Sequence, residues 1–204
     1  MLRLLTLCSF ALLVACDGGS PPAADKPADK PAAKPADSEK PQPKDRSQAA
    51  LTTTKETMAG VAFSIDLPAD LKRDVNDRDK YVNWTFADGN PFIEPSITAK
   101  VVEPMMLPRD LEAFARSLVS PGNDKPPLVV ARKEELPDGG MIGVSERSDG
   151  QFFKVEAIHR AGDKAVRCTV IQRTGTGRPD DKPIPSFAAT RAWAEKICGS
   201  VKLE

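Results

Sequence analysis

Hydrophobic positions along this chain follow three successive regimes. Residues 1–15 hold one basic residue, Arg3, and then the apolar run Leu4-Leu5-Thr6-Leu7-Cys8-Ser9-Phe10-Ala11-Leu12-Leu13-Val14. From Asp17 to about Ala50 no apolar periodicity survives. From about Thr54 onward period-two and period-3.6 patterns succeed each other, as in a folded domain.

Within that third regime Val61, Phe63, Ile65 and Leu67 share one face at period two, which predicts a half-buried strand ended by Pro68. The polar stretch Asp70 to Lys80 reads as a connection. Strands are expected at about Tyr81 to Phe86 and Ile93 to Val102, and Ala87-Asp88-Gly89-Asn90 between them supplies turn chemistry for an antiparallel pair. Over Pro108 to Val119 the period becomes helical, with Leu111, Phe114, Ala115 and Leu118 in one stripe. Pro108 suits the first helical position, and Asp110 and Glu112 complement the positive helix end. Pro121-Gly122 stops that helix. Four more strands follow at about Leu128 to Glu135, Met141 to Arg147, Gln151 to Arg160 and Ala165 to Arg173. The short turns between them predict a meander. Ser186 then reads as the N-cap of a closing helix whose Ala194, Ile197, Cys198 and Val201 face the sheet, with Gly199 at its end. The expected class is α+β, an antiparallel sheet covered by two amphipathic helices.

The N-terminal run is too short to cross a bilayer, which takes about 20 apolar residues, and has the layout of a signal peptide. It closes on Leu13-Val14-Ala15-Cys16, which resembles the lipobox of bacterial lipoproteins. That resemblance implies removal of residues 1–15 and lipidation of Cys16, whose acyl chains each anchor by about 0.8 kcal/mol per buried methylene. Asp17 resembles the signal that retains enterobacterial lipoproteins in the inner membrane; because that rule varies between bacterial groups, the choice of membrane stays open. The following segment, to residue 53, is rich in Pro, Ala, Lys and Asp, with the near-repeat Lys26-Pro27-Ala28-Asp29, Lys30-Pro31-Ala32-Ala33, Lys34-Pro35-Ala36-Asp37. Such composition favours a disordered, semi-extended tether. Its alternating Lys and Asp leave no basic field for an anionic surface.

The folded domain is therefore expected over 54–204. Strand, mid-chain helix, meander and closing helix in this order resemble the PsbP-like fold, found in bacterial lipoproteins of the DcrB and LpqN kind. The likeness covers roughly Val61 to Val201 and rests on element order. It implies a non-enzymatic envelope factor that binds a partner.

The chain balances 29 basic against 29 acidic residues, which removes a nucleic-acid footprint from consideration. Of its four cysteines, Cys8 leaves with the signal and Cys16 is spoken for. Cys168 and Cys198 are thus expected to pair as a disulfide in an oxidising compartment. Two cysteines and the single His159 fall short of a metal site, and no cofactor motif is present. Gly143-Val144-Ser145-Glu146-Arg147 lacks the second glycine of a nucleophile elbow. Asp74 to Asp79 starts like a calcium loop but has Asp79 where glycine is required. Thr174-Gly175-Thr176-Gly177-Arg178 has no helix behind it to receive phosphate. Adjacent flexible side chains at Met105-Met106-Leu107, with Trp84, are the candidate partner-binding residues.

These readings combine into an expectation: a lipid-anchored protein of the cell envelope, facing the periplasm, whose domain binds an envelope protein or lipid and carries no catalytic residues. The competing expectation is an envelope hydrolase that uses His159 and a nearby carboxylate. An exposed patch at Met105 favours the first, and a cleft holding His159 beside an acid favours the second.

Overall fold

The computed structural model describes residues 42–119, 126–174 and 182–204, all within one compact unit, Lys40–Glu204. Among them the elements run β1 (Leu51–Met58), β2 (Val61–Pro68), β3 (Leu71–Asn76), β4 (Tyr81–Phe86), β5 (Ser96–Val101), α1 (Leu111–Leu118), β6 (Leu128–Glu135), β7 (Met141–Arg147), β8 (Phe152–Ala161), β9 (Lys164–Arg173), α2 (Phe187–Gly199) and β10 (Lys202–Leu203). A short 3-10 turn, Pro104–Met106, separates β5 from α1. Two antiparallel sheets form, β3-β4-β5-β9-β8-β7-β6 and β1-β2-β10. The fold is α+β and mostly sheet.

Register assigns every side chain of the large sheet to a face. Val82, Ile97, Val170, Val155 and Val144 point one way, along with Cys168, Ala157 and Phe153. Against them pack α2, through Trp193, Ala194 and Ile197, and the small sheet, through Phe63, Ile65 and Leu67. Burying side chains of this size stabilises by about 1.5–3 kcal/mol each. Among the described residues, the opposite face is covered where α1 lies on β6 and β7. Phe114 and Leu118 meet Met141, Ile158 and Ala165 there in a second, smaller core. Gly143 permits that contact, because a Cβ would stand 2.5 Å from Leu118 Cδ1.

The two helices thus lie on opposite faces instead of covering one. The reason is that the small sheet, unforeseen in the sequence pattern, takes up the area beside α2. Its first strand, β1, is mostly Thr and charged residues and is buried only at Glu56 and Met58. The Ala59-Gly60 hairpin, with both φ positive, joins it to β2. Two-residue turns of this hand suit the right-handed twist of strand pairs. Glu56 accepts a two-point ion pair from Arg73 (2.9 and 2.8 Å), which ties β1 to β3.

Other local expectations shift in similar ways. The polar stretch after Pro68 becomes the edge strand β3, where one face can stay wet. Strand β5 begins at Ser96, not Ile93, and the residues before it form a loop. Asp110 is the N-cap of α1 and accepts the amide of Ala113 at 2.7 Å, so Pro108 stands outside the helix. Ser186 precedes α2 in a left-handed conformation (φ 46°) without capping it; its hydroxyl donates to Asp45. Cys168 and Cys198 are joined as a disulfide between β9 and the end of α2.

Candidate functional site

The face of the large sheet that the described residues leave open at β5 and β9 carries a cavity of about 710 Å3. Its floor is Ser96 and Thr98 on β5 and Thr169 and Ile171 on β9. Arg173, the last residue of β9, stands at its rim, and the wall is the loop Pro91-Phe92-Ile93-Glu94. Period-two alternation puts hydroxyls on this face of β5 because their neighbours Ile97 and Ala99 fill the core. Asn83 of β4 sits beside Thr98 in register, and its Oδ1 accepts from both Ser96 Oγ and Thr98 Oγ1 at 2.9 Å.

The loop wall is pinned from several sides. Asn90 receives the amides of Ile93 and Glu94 on its carbonyl and that of Phe92 on its side chain. Gln172 donates from the core side to the Ile93 carbonyl at 3.1 Å. The carboxylate of Glu94 accepts the Lys44 amide (2.9 Å) and Arg46 Nε (3.0 Å). Arg46 also lies over the Phe86 ring, 4.0 Å from its centre, and Trp193 donates to the Ala49 carbonyl. So the chain just before β1 is clasped to the domain, and the clasp holds the cavity wall. Despite this order Phe92 is 80% exposed.

Asp88 completes the clasp. Hydrogen bonds from the Lys44 ammonium and the Arg46 guanidinium lower its pKa from 3.8 to about 2. Because the folded value lies below the unfolded one, its contribution is complete above about pH 4 and lost as pH falls through about 2. A carboxyl-carbon NMR titration should place the Asp88 midpoint close to 2. In a Lys44→Ala, Arg46→Ala double variant it should return toward 3.8; an unchanged midpoint would remove the clasp from the explanation.

A second cleft, about 320 Å3, lies at Leu136-Pro137-Asp138, His159-Arg160 and Val201 to Leu203. His159 Nδ1 is 2.9 Å from Asp138 Oδ2, and Nε2 donates to the Cys198 carbonyl at 2.7 Å. Both ring nitrogens are therefore engaged, and the residue is only 3% exposed. A general base needs a nitrogen free to face substrate. Ser145 projects from the other face of the sheet, since it stands in register with Lys154 whereas His159 pairs with Val166. The two cannot meet. His159 instead ties β8 to the end of α2, beside the disulfide.

Of the candidate partner-binding residues, Met105 is 92% exposed and Met106 76%. Leu107 and Trp84 are buried and unavailable to a partner, Leu107 in the smaller core and Trp84 in the larger. Cys16 and the residues around it lie outside the described residues, as do Gly175 to Arg178 of the glycine pair. Among the described residues no three His, Cys, Asp or Glu side chains are grouped to hold a metal ion. No helix there is long and apolar enough to cross a membrane.

No protein-family model matches this chain, and no curated protein matches it either. Function must therefore be argued from the geometry. The residues missed by sequence reasoning are Phe92, Ser96, Thr98, Thr169, Ile171 and Arg173. Alternation on β5 and β9 marks which of them share a face. Nothing in the sequence shows that this face stays uncovered.

Proposed function

We propose that this protein is a cell-envelope lipoprotein, anchored through Cys16 and facing the periplasm, whose α+β domain binds a partner and performs no catalysis. The observation that carries the binding half of this reading is the exposure of Met105 and Met106 side by side on the Pro104–Met106 turn. Large flexible apolar side chains left in water cost free energy that a partner recovers, and methionine adapts its shape to what it meets. The turn carries Glu103 on one side, whose carboxylate pairs with Lys80 at 2.9 Å, giving the patch a polar rim. The engaged ring of His159 supports binding over hydrolysis. The anchoring half rests on Leu13-Val14-Ala15-Cys16 and on the Pro, Ala, Lys and Asp segment behind it. The order of strand, helix, meander and closing helix supports a PsbP-like layout, to which β1, β3 and β10 are additions to the pattern read from the sequence.

A photo-crosslinking side chain at position 105, compared with one at exposed Lys55, tests the binding half in intact host cells. A discrete protein or lipid adduct specific to position 105 is the expected result; equal labelling at both positions would sink it. Cys16→Ser tests the anchor separately, since the variant should leave the membrane fraction. If it stays there, Cys16 is not the anchor.

A further inference from the structure

The geometry points to the open-face cavity as a recognition site for the free C-terminus of a partner protein, with the terminal carboxylate on Arg173 and an apolar last side chain against Phe92 and Ile171. This rests on the reading of the domain as a binding module but uses a different surface. Ser96 starts β5 and Val101 ends it, so the Met105 turn lies beyond the far end of the strand.

Three observations select the occupant. The first is charge. Arg173 is exposed at the rim and forms no ion pair with any described residue. Of the carboxylates nearby, Glu94 of the wall is buried and taken up by Arg46 and the Lys44 amide, and Glu156, in register with Thr169, is held by Lys154 at 3.5 Å and Arg167 at 3.4 Å. Two cations on one acid leave the neighbourhood positive, and a guanidinium offers a two-point match to a carboxylate.

The second is the wall. Phe92 projects from a loop whose backbone is fixed by Asn90, Gln172 and the Arg46 clasp, so the point from which its solvent-exposed ring extends is set before a ligand arrives. A pre-ordered apolar surface spares the ordering cost that binding otherwise incurs. A cavity of about 710 Å3 lies within the usual range for ligand sites.

The third is the floor, and it separates a peptide from a fatty acid. Ser96 and Thr98 both donate their hydroxyl protons to Asn83 Oδ1. What they present to the cavity is lone pairs, which want N–H or O–H donors. A peptide terminus brings backbone N–H groups along with its carboxylate and side chain. An acyl carboxylate brings the anion and the apolar body but no donors.

The test uses the full-length chain and a fluorescein-labelled tetra-alanine peptide ending in phenylalanine, as free acid and as C-terminal amide, read by fluorescence anisotropy. Saturable binding of the acid is expected, with the amide weaker by about tenfold or more. Arg173→Glu should cost about as much as amidation, and Arg173→Lys should restore part of it. Phe92→Ser should weaken the acid roughly tenfold. Both side chains are exposed, so these variants should keep the parent's circular dichroism and melting temperature. Equal affinity for acid and amide, indifference to Arg173→Glu, or no saturable binding would each overturn the inference. Stronger binding of dodecanoate than of the peptide acid would also overturn it and assign the cavity to an acyl carboxylate. None of these outcomes touches the crosslink at position 105, so the cavity and the proposed function fail or stand separately.

Discussion

Replacing Cys168 and Cys198 together by alanine is expected to lower the stability of the domain by about 3–4 kcal/mol. The pair is 30 residues apart, and closing a loop of that length in the unfolded chain removes entropy which the variant would regain on unfolding. Both residues are fully buried, so the alanines also leave small voids on the face where α2 meets β9. For a domain of this size the loss should appear as a fall in Tm of roughly 6–16 °C. Scanning calorimetry with and without reductant checks it: reductant should destabilise the parent and leave the double variant unmoved. A fall below about 2 °C would mean that the bridge does not constrain the unfolded chain as the entropy argument requires. A functional consequence is attached. The Cys198 carbonyl also receives His159, so loosening the end of α2 should open the cleft at Asp138 before the rest of the sheet.

Gly140→Ala should be at least comparably damaging, for a reason of space. A Cβ at Gly140 would stand 2.0 Å from the Ile158 carbonyl oxygen, a backbone atom of β8 that cannot swing aside as a side chain would. The added methyl must therefore part β7 from β8 at the start of their pairing, where Met141 faces Ile158. Overpacking of this kind costs about 1–3 kcal/mol where neighbours yield, and more where backbone blocks the way, so about 3 kcal/mol or above is expected. Its neighbour provides the control. Gly139 has φ +73° and open space around it, so Gly139→Ala carries only the left-handed backbone penalty of about 1–2 kcal/mol. Urea unfolding of the two variants should rank Gly140→Ala clearly the worse. The reverse order would show that the β7–β8 approach is looser than described.

How much of this was legible beforehand depends on whether the signal was local. Val61, Phe63, Ile65 and Leu67 predict their strand because alternation is written in adjacent residues, and the structure buries all four. The stripe of Phe114, Ala115 and Leu118 does the same for α1. The strands from β6 to β9 stand close to where their turns put them, since Gly139, Gly150 and Gly162 each take the positive φ that such turns need. By contrast β1 and β3 are polar edge strands, and β10 is two residues long. Their identity comes from the partner strand that satisfies their backbone, which no local pattern records.

The site divides along the same line. Met105 and Met106 drew notice as adjacent methionines, and the structure leaves both in water; Leu107 and Trp84, of equal apolar character, went to the core. His159 enters the sequence reading only through the competing hydrolase expectation, and in the fold its two nitrogens meet Cys198 and Asp138, 39 and 21 residues away. The cavity was not legible at all. Its wall belongs to one loop, its floor to β5 and β9, and the clasp that steadies it to Lys44 and Arg46, within a segment whose composition reads as tether.

By itself, then, the sequence determined the class of elements and the pairing of Cys168 with Cys198. Each depends on short-range periodicity or on counting reactive groups. Only the tertiary structure decided which sheet face stays open, on which side each helix lies and which polar groups are already satisfied. Those outcomes depend on contacts between residues distant in the chain, and a side chain's chemistry becomes available to a ligand only after such contacts have been made.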